Sequence, residues 1–163
     1  MKSLAMAAAL AALPLACAIA APSSTDKMFV RQAAIGGLAE VQEGQLAQQM
    51  ASSADVKQFG QTMVQQHTEN NNELMQVAQQ EGITVSPTLD AKHRKEAAML
   101  QKKSGTAFDK TYVNDQIAGH KAMAQVMQSE ITHGSDPALK AFAQKTLPVV
   151  QQHLQMAQQL SAG

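Results

Sequence analysis

Three of the five histidines in this chain lie on apolar helical stripes. His67 has Gly60, Met63, Val64 and Leu74 at offsets of three, four and seven residues. His120 has Val113, Ile117, Met123, Ala124 and Met127 in the same relation, and His153 has Val149, Val150, Met156, Ala157 and Leu160. Those offsets share one face of an α-helix, so all three imidazoles are predicted to point inward. Glu40 is their carboxylate counterpart, with Ala33, Gly36, Gly37, Gly44 and Ala47 around it and Glu43 as the one exception. Small residues there would let a neighbouring helix approach closely and carry Glu40 inside. A buried, unpaired carboxylate costs several kcal/mol, so it needs a partner or a proton.

Two kinds of chemistry suit these residues. Three imidazoles and a carboxylate can bind a transition metal, and zinc, iron or copper fits the set Glu40, His67, His120 and His153. Met63, Met123 and Met156 nearby keep copper in view, although Met at helical spacing commonly serves as core packing. In the structural alternative, Glu40 accepts hydrogen bonds from one or two histidines, the others bond Asn70 or Tyr112, and the network fixes helix register. The other two histidines read as surface residues outside any site. His93 stands beside Asp90 and Glu96, and His133 lies in a last helical turn, where a cation suits the helix dipole.

The elements that would position these groups follow from periodicity and punctuation. Helix one is predicted over 28–50, capped by Thr25 or Asp26, with residues 21–27 as a flexible lead. After a turn at 51–55, helix two runs to Glu81-Gly82. Residues 83–88 are extended, and a short helix over 89–102 carries the basic cluster Lys92 to Lys103. That cluster reads as a solvated face that could touch anionic lipid or polymer. Helix three starts at Thr106, with Asp109 in a capping-box spacing, and closes at His133-Gly134-Ser135. Helix four is capped by Asp136, and Pro148 inside it is expected to kink it and, in one reading, to re-aim His153. No alternating strand pattern occurs. Four amphipathic helices with short turns in each pair amount to an all-α, antiparallel four-helix bundle over 28–161, with an extra short helix in the connector.

Heights along such a bundle can be reckoned from the turns. Glu40 precedes the first turn by about 13 residues and His67 follows it by about 14; His120 and His153 flank the second at about 15 and 17. At 1.5 Å per residue, all four groups should meet near mid-bundle.

Residues 1–20 read as a secretory signal peptide: Lys2, an apolar run from Leu4 to Leu13, and small residues at Ala18 and Ala20. The alternative is a lipoprotein box, Leu13-Pro14-Leu15-Ala16-Cys17, that would anchor the chain through Cys17. Either way the expected location is the periplasm or cell envelope, with no transmembrane span in the mature chain. The 163 residues carry 13 basic and 13 acidic side chains and 3% aromatics, without Trp. That argues against nucleic-acid partners, which need basic surface and stacking platforms. The lone cysteine excludes an intrachain disulfide and a thiolate zinc cluster. Phosphate-loop, nucleophile-elbow and zinc-protease motifs are absent.

Further landmarks are Phe29-Val30, Ala33 through Val41, Val56-Lys57-Gln58-Phe59-Gly60, His67-Thr68, Asn71 through Leu74, Phe108-Asp109, Tyr112, His120, Leu139 through Ala143, Leu147-Pro148 and His153-Leu154. Together they resemble a bacterial family of exported proteins, domain of unknown function 4142, which is often given an outer-membrane label. The resemblance covers nearly all of the mature chain. It implies a ferritin-like bundle and no established reaction. Ferritin-like metal oxidases usually present Glu-x-x-His on two helices. Here Val64 and Val150 stand where those glutamates would be, which leaves Glu40 as the only well-placed carboxylate. A barrel is not implied either, since ten-residue alternating strands are absent.

Three functions are consistent with these readings. The first is a non-enzymatic binding protein of envelope maintenance or stress. The second is a metal-binding or oxidoreductase bundle using the Glu40 and histidine layer. The third is a structural interaction module.

Overall fold

The computed structural model describes residues 21–85 and 88–162. The expected signal peptide, Cys17 and Pro87 lie outside the described residues. Within them the chain is all-helical, with no strand: α1 (Ser24–Met50), α2 (Ala54–Gln80), α3 (Ala91–Leu100), α4 (Gly105–His133) and α5 (Pro137–Ala162).

Local chemistry accounts for where these helices start and stop. α1 begins at Ser24 rather than Met28, because Ser23 and Asp26 form a capping box. The Asp26 amide donates to Ser23 Oγ at 3.2 Å, and the Ser23 amide donates to Asp26 Oδ2 at 2.6 Å. α2 ends in a Schellman motif. Gly82 takes φ 67, and the Ile83 amide reaches the Ala78 carbonyl at 2.8 Å. α3 is shorter than the 89–102 pattern, since Asp90 caps it by accepting from the His93 amide at 2.9 Å. α5 begins at Pro137 behind its cap Asp136, which accepts from the Leu139 amide at 2.9 Å, and it runs helically through the exposed Pro148.

The expected capping box at the start of α4 does not form: Ser104 is the N-cap without a side-chain bond. Asp109 is instead drawn to the α1–α2 turn, accepting from the amides of Ser52 and Ser53 at 3.0 Å each and from the Ser52 hydroxyl. Asp26 does the reciprocal job at the opposite end. It accepts from the Ser135 amide at 2.9 Å, the Ser135 hydroxyl at 2.5 Å and the Asp136 amide at 3.2 Å in the α4–α5 turn. Each helical hairpin thus has its turn tied to the first helix of the other. Turn amides that would lack partners are satisfied there.

α1 packs on α2 and α4 on α5; α1 also meets α4, α2 meets α5, and α3 rests on α1 and α4. The small-residue face of α1 permits the closest approach. A Cβ at Gly44 would come within 2.7 Å of the Gly60 carbonyl of α2, so only glycine fits that crossing. The interior divides into two apolar clusters. One contains Phe29, Leu74, Met127, Leu139 and Phe142; the other contains Phe59, Met63, Leu100, Phe108 and Tyr112. Along α2, α4 and α5 the chain passes from one cluster to the other through a histidine. The imidazoles therefore form a polar layer between two dry cores.

Candidate metal centre

His67, His120 and His153 are 6%, 1% and 1% exposed, as the apolar stripes predict. Their rings meet at centroid separations of 5.6 Å (His67–His120) and 5.2 Å for each of the other two pairs. One ligand nitrogen from each lies within 4.8 Å of the others, so the three could hold a metal ion.

The outward-facing hydrogen bonds fix which nitrogens are free. His120 Nδ1 lies 2.8 Å from the Gln116 backbone carbonyl, which can only accept, so Nδ1 carries the proton and Nε2 is bare. His153 Nε2 lies 2.7 Å from Gln66 Oε1; with that side-chain amide turned this way, rather than with its nitrogen toward the ring, Nε2 donates and Nδ1 is bare. These two bare nitrogens face each other at 3.3 Å. His67 Nε2 is buried with no hydrogen-bond partner. A zinc–nitrogen bond of 2.0–2.1 Å places tetrahedral ligand nitrogens about 3.3 Å apart. The His120–His153 spacing already matches that edge.

A proton does not fill the gap between them near neutral pH. Burial, then repulsion from His120 and His153, holds His67 well below 6.5. Burial also lowers His120, against the raising effect of its bond to the Gln116 carbonyl. His153 is lowered to about 4 by burial and by His120. Three neutral imidazoles, two with the far nitrogen tied to a carbonyl oxygen, have the outer-shell arrangement of metal-binding histidines.

The fourth residue expected in the layer stands apart from the three. Glu40 Oε1 is 3.8 Å from His120 Nδ1, on the side of the ring away from His153, and Glu40 Oε2 is buried without a partner. It belongs to a second group. Glu43 is 9% exposed and accepts from Gln116 Nε2 at 3.2 Å. Burial raises both carboxyl groups above 4.5, opposed by Gln116; Asp115 adds to both, and Glu40 to Glu43. Burial therefore keeps both carboxyl groups partly protonated close to neutrality. Neither Asn70 nor Tyr112 serves the histidines: that role falls to Gln66 and the Gln116 carbonyl, and the Tyr112 hydroxyl is buried unpartnered. His93 bonds Asp90 at 2.7 Å and is half-buried, yet it borders the cavity described below. His133 is exposed at the end of α4, as expected.

Glu43, Gln66 and Gln116 are the participants that stripe reasoning missed. Glu43 did leave a signal, lying one helical turn from Glu40 on the same face. The glutamines left none, being two among many.

No helix among the described residues is long and apolar enough to cross a membrane. Neither curated proteins nor solved structures match this chain. The profile of a domain of unknown function (DUF4142) matches residues 11–160, which is nearly the full length, and the chain belongs to that family.

Proposed function

We propose that this protein is a transition-metal-binding helical bundle of ferritin-like type, acting in the cell envelope after export. The observation that carries the metal reading is the convergence of three buried imidazoles, one nitrogen from each within 4.8 Å of the others, with His120 Nε2 and His153 Nδ1 3.3 Å apart. Two facing lone pairs with no proton between them are unfavourable in an apolar interior, and a cation relieves them. A network that served only helix register would alternate donors and acceptors. With the Gln66 amide oxygen toward His153, this one places acceptors face to face.

The ligands are His67, His120 and His153, with Glu40 behind His120 as an outer carboxylate. An all-imidazole set suits zinc or copper and disfavours a carboxylate-rich two-iron centre. Three protein ligands leave a fourth coordination position open, so a bound ion would also be able to take a small molecule. The four long helices and their reciprocal tethers support the bundle assignment. Residues 1–20, with their apolar run and small-residue cleavage site, support export.

The test is metal analysis of untagged protein, followed by zinc and copper titration against a chromophoric chelator. We expect one ion per chain. His120→Ala should weaken binding at least ~100-fold, since it removes one of three ligands and the partner of His153, while His133→Ala leaves it unchanged. No metal in the isolated protein and no affinity in titration would defeat the reading.

A further inference from the structure

A cavity of about 460 Å³ lies between α1, α3 and α4. Small side chains create it: Gly36 and Ala39 on α1 face Ala118, Gly119 and Ala122 on α4, and a Cβ on Gly119 would sit 3.1 Å from Glu40 Oε1. His120 lines it, and so does His67, which belongs to α2 beyond the α1–α4 gap. The cavity therefore runs from the surface under α3 to the histidine layer itself.

Its ionisable lining is mostly acidic once internal pairs are removed. Lys92 is held by Glu96 at 3.4 Å, and Asp90 by His93 at 2.7 Å. That leaves Glu40, Glu43 and Asp115 as lining carboxyl groups without a cationic partner within ion-pair distance, against Arg31 as the one remaining unpaired base. Carboxylates alone would say little. The independent observation lies at the inner end. His67 is more than nine-tenths buried, has an unpartnered Nε2, and borders the same cavity as Glu40, whose Oε2 is likewise buried and unpartnered.

We infer that this cavity is the loading passage of the metal centre, in which Glu40 and Glu43 form a carboxylate station that takes a divalent cation from water and hands it to His67 and His120. The inference rests on the proposed metal reading and adds the route and its residues. The chemistry is suited to the task. Oxygen ligands exchange a hydrated ion readily, and an arriving cation displaces the protons that burial keeps on these carboxyl groups near neutral pH. The imidazoles beyond bind it more durably.

Cobalt(II) alone is the probe, because its visible absorption changes on passing from water to nitrogen ligands. Untagged, chelator-stripped protein is mixed with cobalt(II) in a stopped-flow instrument, and association, dissociation and equilibrium affinity are measured separately. Glu43→Gln should slow association and dissociation together by about tenfold with affinity nearly unchanged. Asp115→Asn, at an exposed position, should slow association about threefold at low salt, and 0.5 M salt should abolish the difference. Glu73→Gln removes the same charge on α2, outside the cavity, and should leave every rate as it was. Unchanged rates in both cavity variants would overturn the inference, as would weaker affinity with unchanged association, the signature of a ligand or a packing defect. Wild-type protein that gives no cobalt spectrum would instead refute the metal reading, and the passage with it.

Discussion

Two buried polar regions of this molecule invite comparison: the histidine layer at mid-height and the carboxylate corner where the start of α1 meets the α4–α5 turn. Both are withdrawn from water; His120 and His153 are 1% exposed, and Asp26 and Glu130 are 0%. They differ in how their polar atoms are satisfied. Asp26 collects donors from Ser23, Ser135 and Asp136, and although burial opposes it, those bonds hold its carboxyl well below the usual range. The histidines collect bonds only on their outer sides and present bare nitrogens to one another. Burial alone does not separate a structural polar cluster from a site. The direction in which the unsatisfied atoms point does.

Breaking the corner should therefore cost stability and spare the site. Asp26→Ala leaves the Ser135 and Asp136 amides without an acceptor and unties the α4–α5 turn from α1. We expect a loss of about 3 kcal/mol in denaturant unfolding, in line with removal of a buried, multiply bonded carboxylate. Metal affinity per folded molecule should stay the same. A loss of affinity equal to that of His120→Ala would mean the two regions are one cooperative unit and that the contrast is false.

The next effect is comparable in size and opposite in chemistry. Each imidazole of the layer has a folded pKa below 6.5. The unfolded chain therefore takes up protons first as pH falls, and stability present above 6.5 is lost toward the folded value. For His153, lowered to about 4, this amounts to on the order of 3 kcal/mol. Glu40, Glu43 and Glu130 are raised and act in the opposite sense, gaining stability on acidification, so the whole-protein profile is shallow. The contribution emerges as a difference. Metal-free wild type minus His153→Gln should decline by that amount between pH 7 and pH 4 in unfolding measurements. A flat difference would show that His153 is not held neutral by its neighbours.

The sequence made the layer legible because helical periodicity reports facing, and facing is what burial requires. His67, His120 and His153 stand where their stripes put them, and turn spacing put them at one height. What periodicity cannot report is the side of a ring on which a neighbour lies. Glu40 has the right height and the right face, yet it meets Nδ1 of His120 rather than the shared centre, because α1 borders α4 on the flank away from α5. Asp109 shows the same limit. Its spacing from Thr106 suits a local cap, but the amides of Ser52 and Ser53 and the Ser52 hydroxyl offer three bonds where the local cap offers one. Long-range partners outcompete local ones where a turn would otherwise be left unsatisfied.

Glu130 provides the finest test of the comparison, since it is the corner's least satisfied member, Asp136 Oδ2 being the other unpartnered atom there. Both its carboxyl oxygens are buried without a partner, in space left by Gly134. Burial, reinforced by Asp26 and Asp136, raises it from 4.5 to about 7. A raised acid contributes stability below its unfolded pKa, and that contribution is lost as pH climbs through the folded value. At pH 5 the group is neutral and Glu130→Gln should change little. At pH 8 the carboxylate is charged beside two other acids, while the amide is neutral. The variant should then be more stable than wild type by about 1 kcal/mol, a rise in Tm of roughly 2–4 °C. Metal binding should be identical at both pH values. If the amide stabilised the protein equally at pH 5 and pH 8, packing rather than charge would govern the corner. If it altered metal affinity, the unsatisfied atoms at the middle and at the end of α4 would have to be treated as a single system.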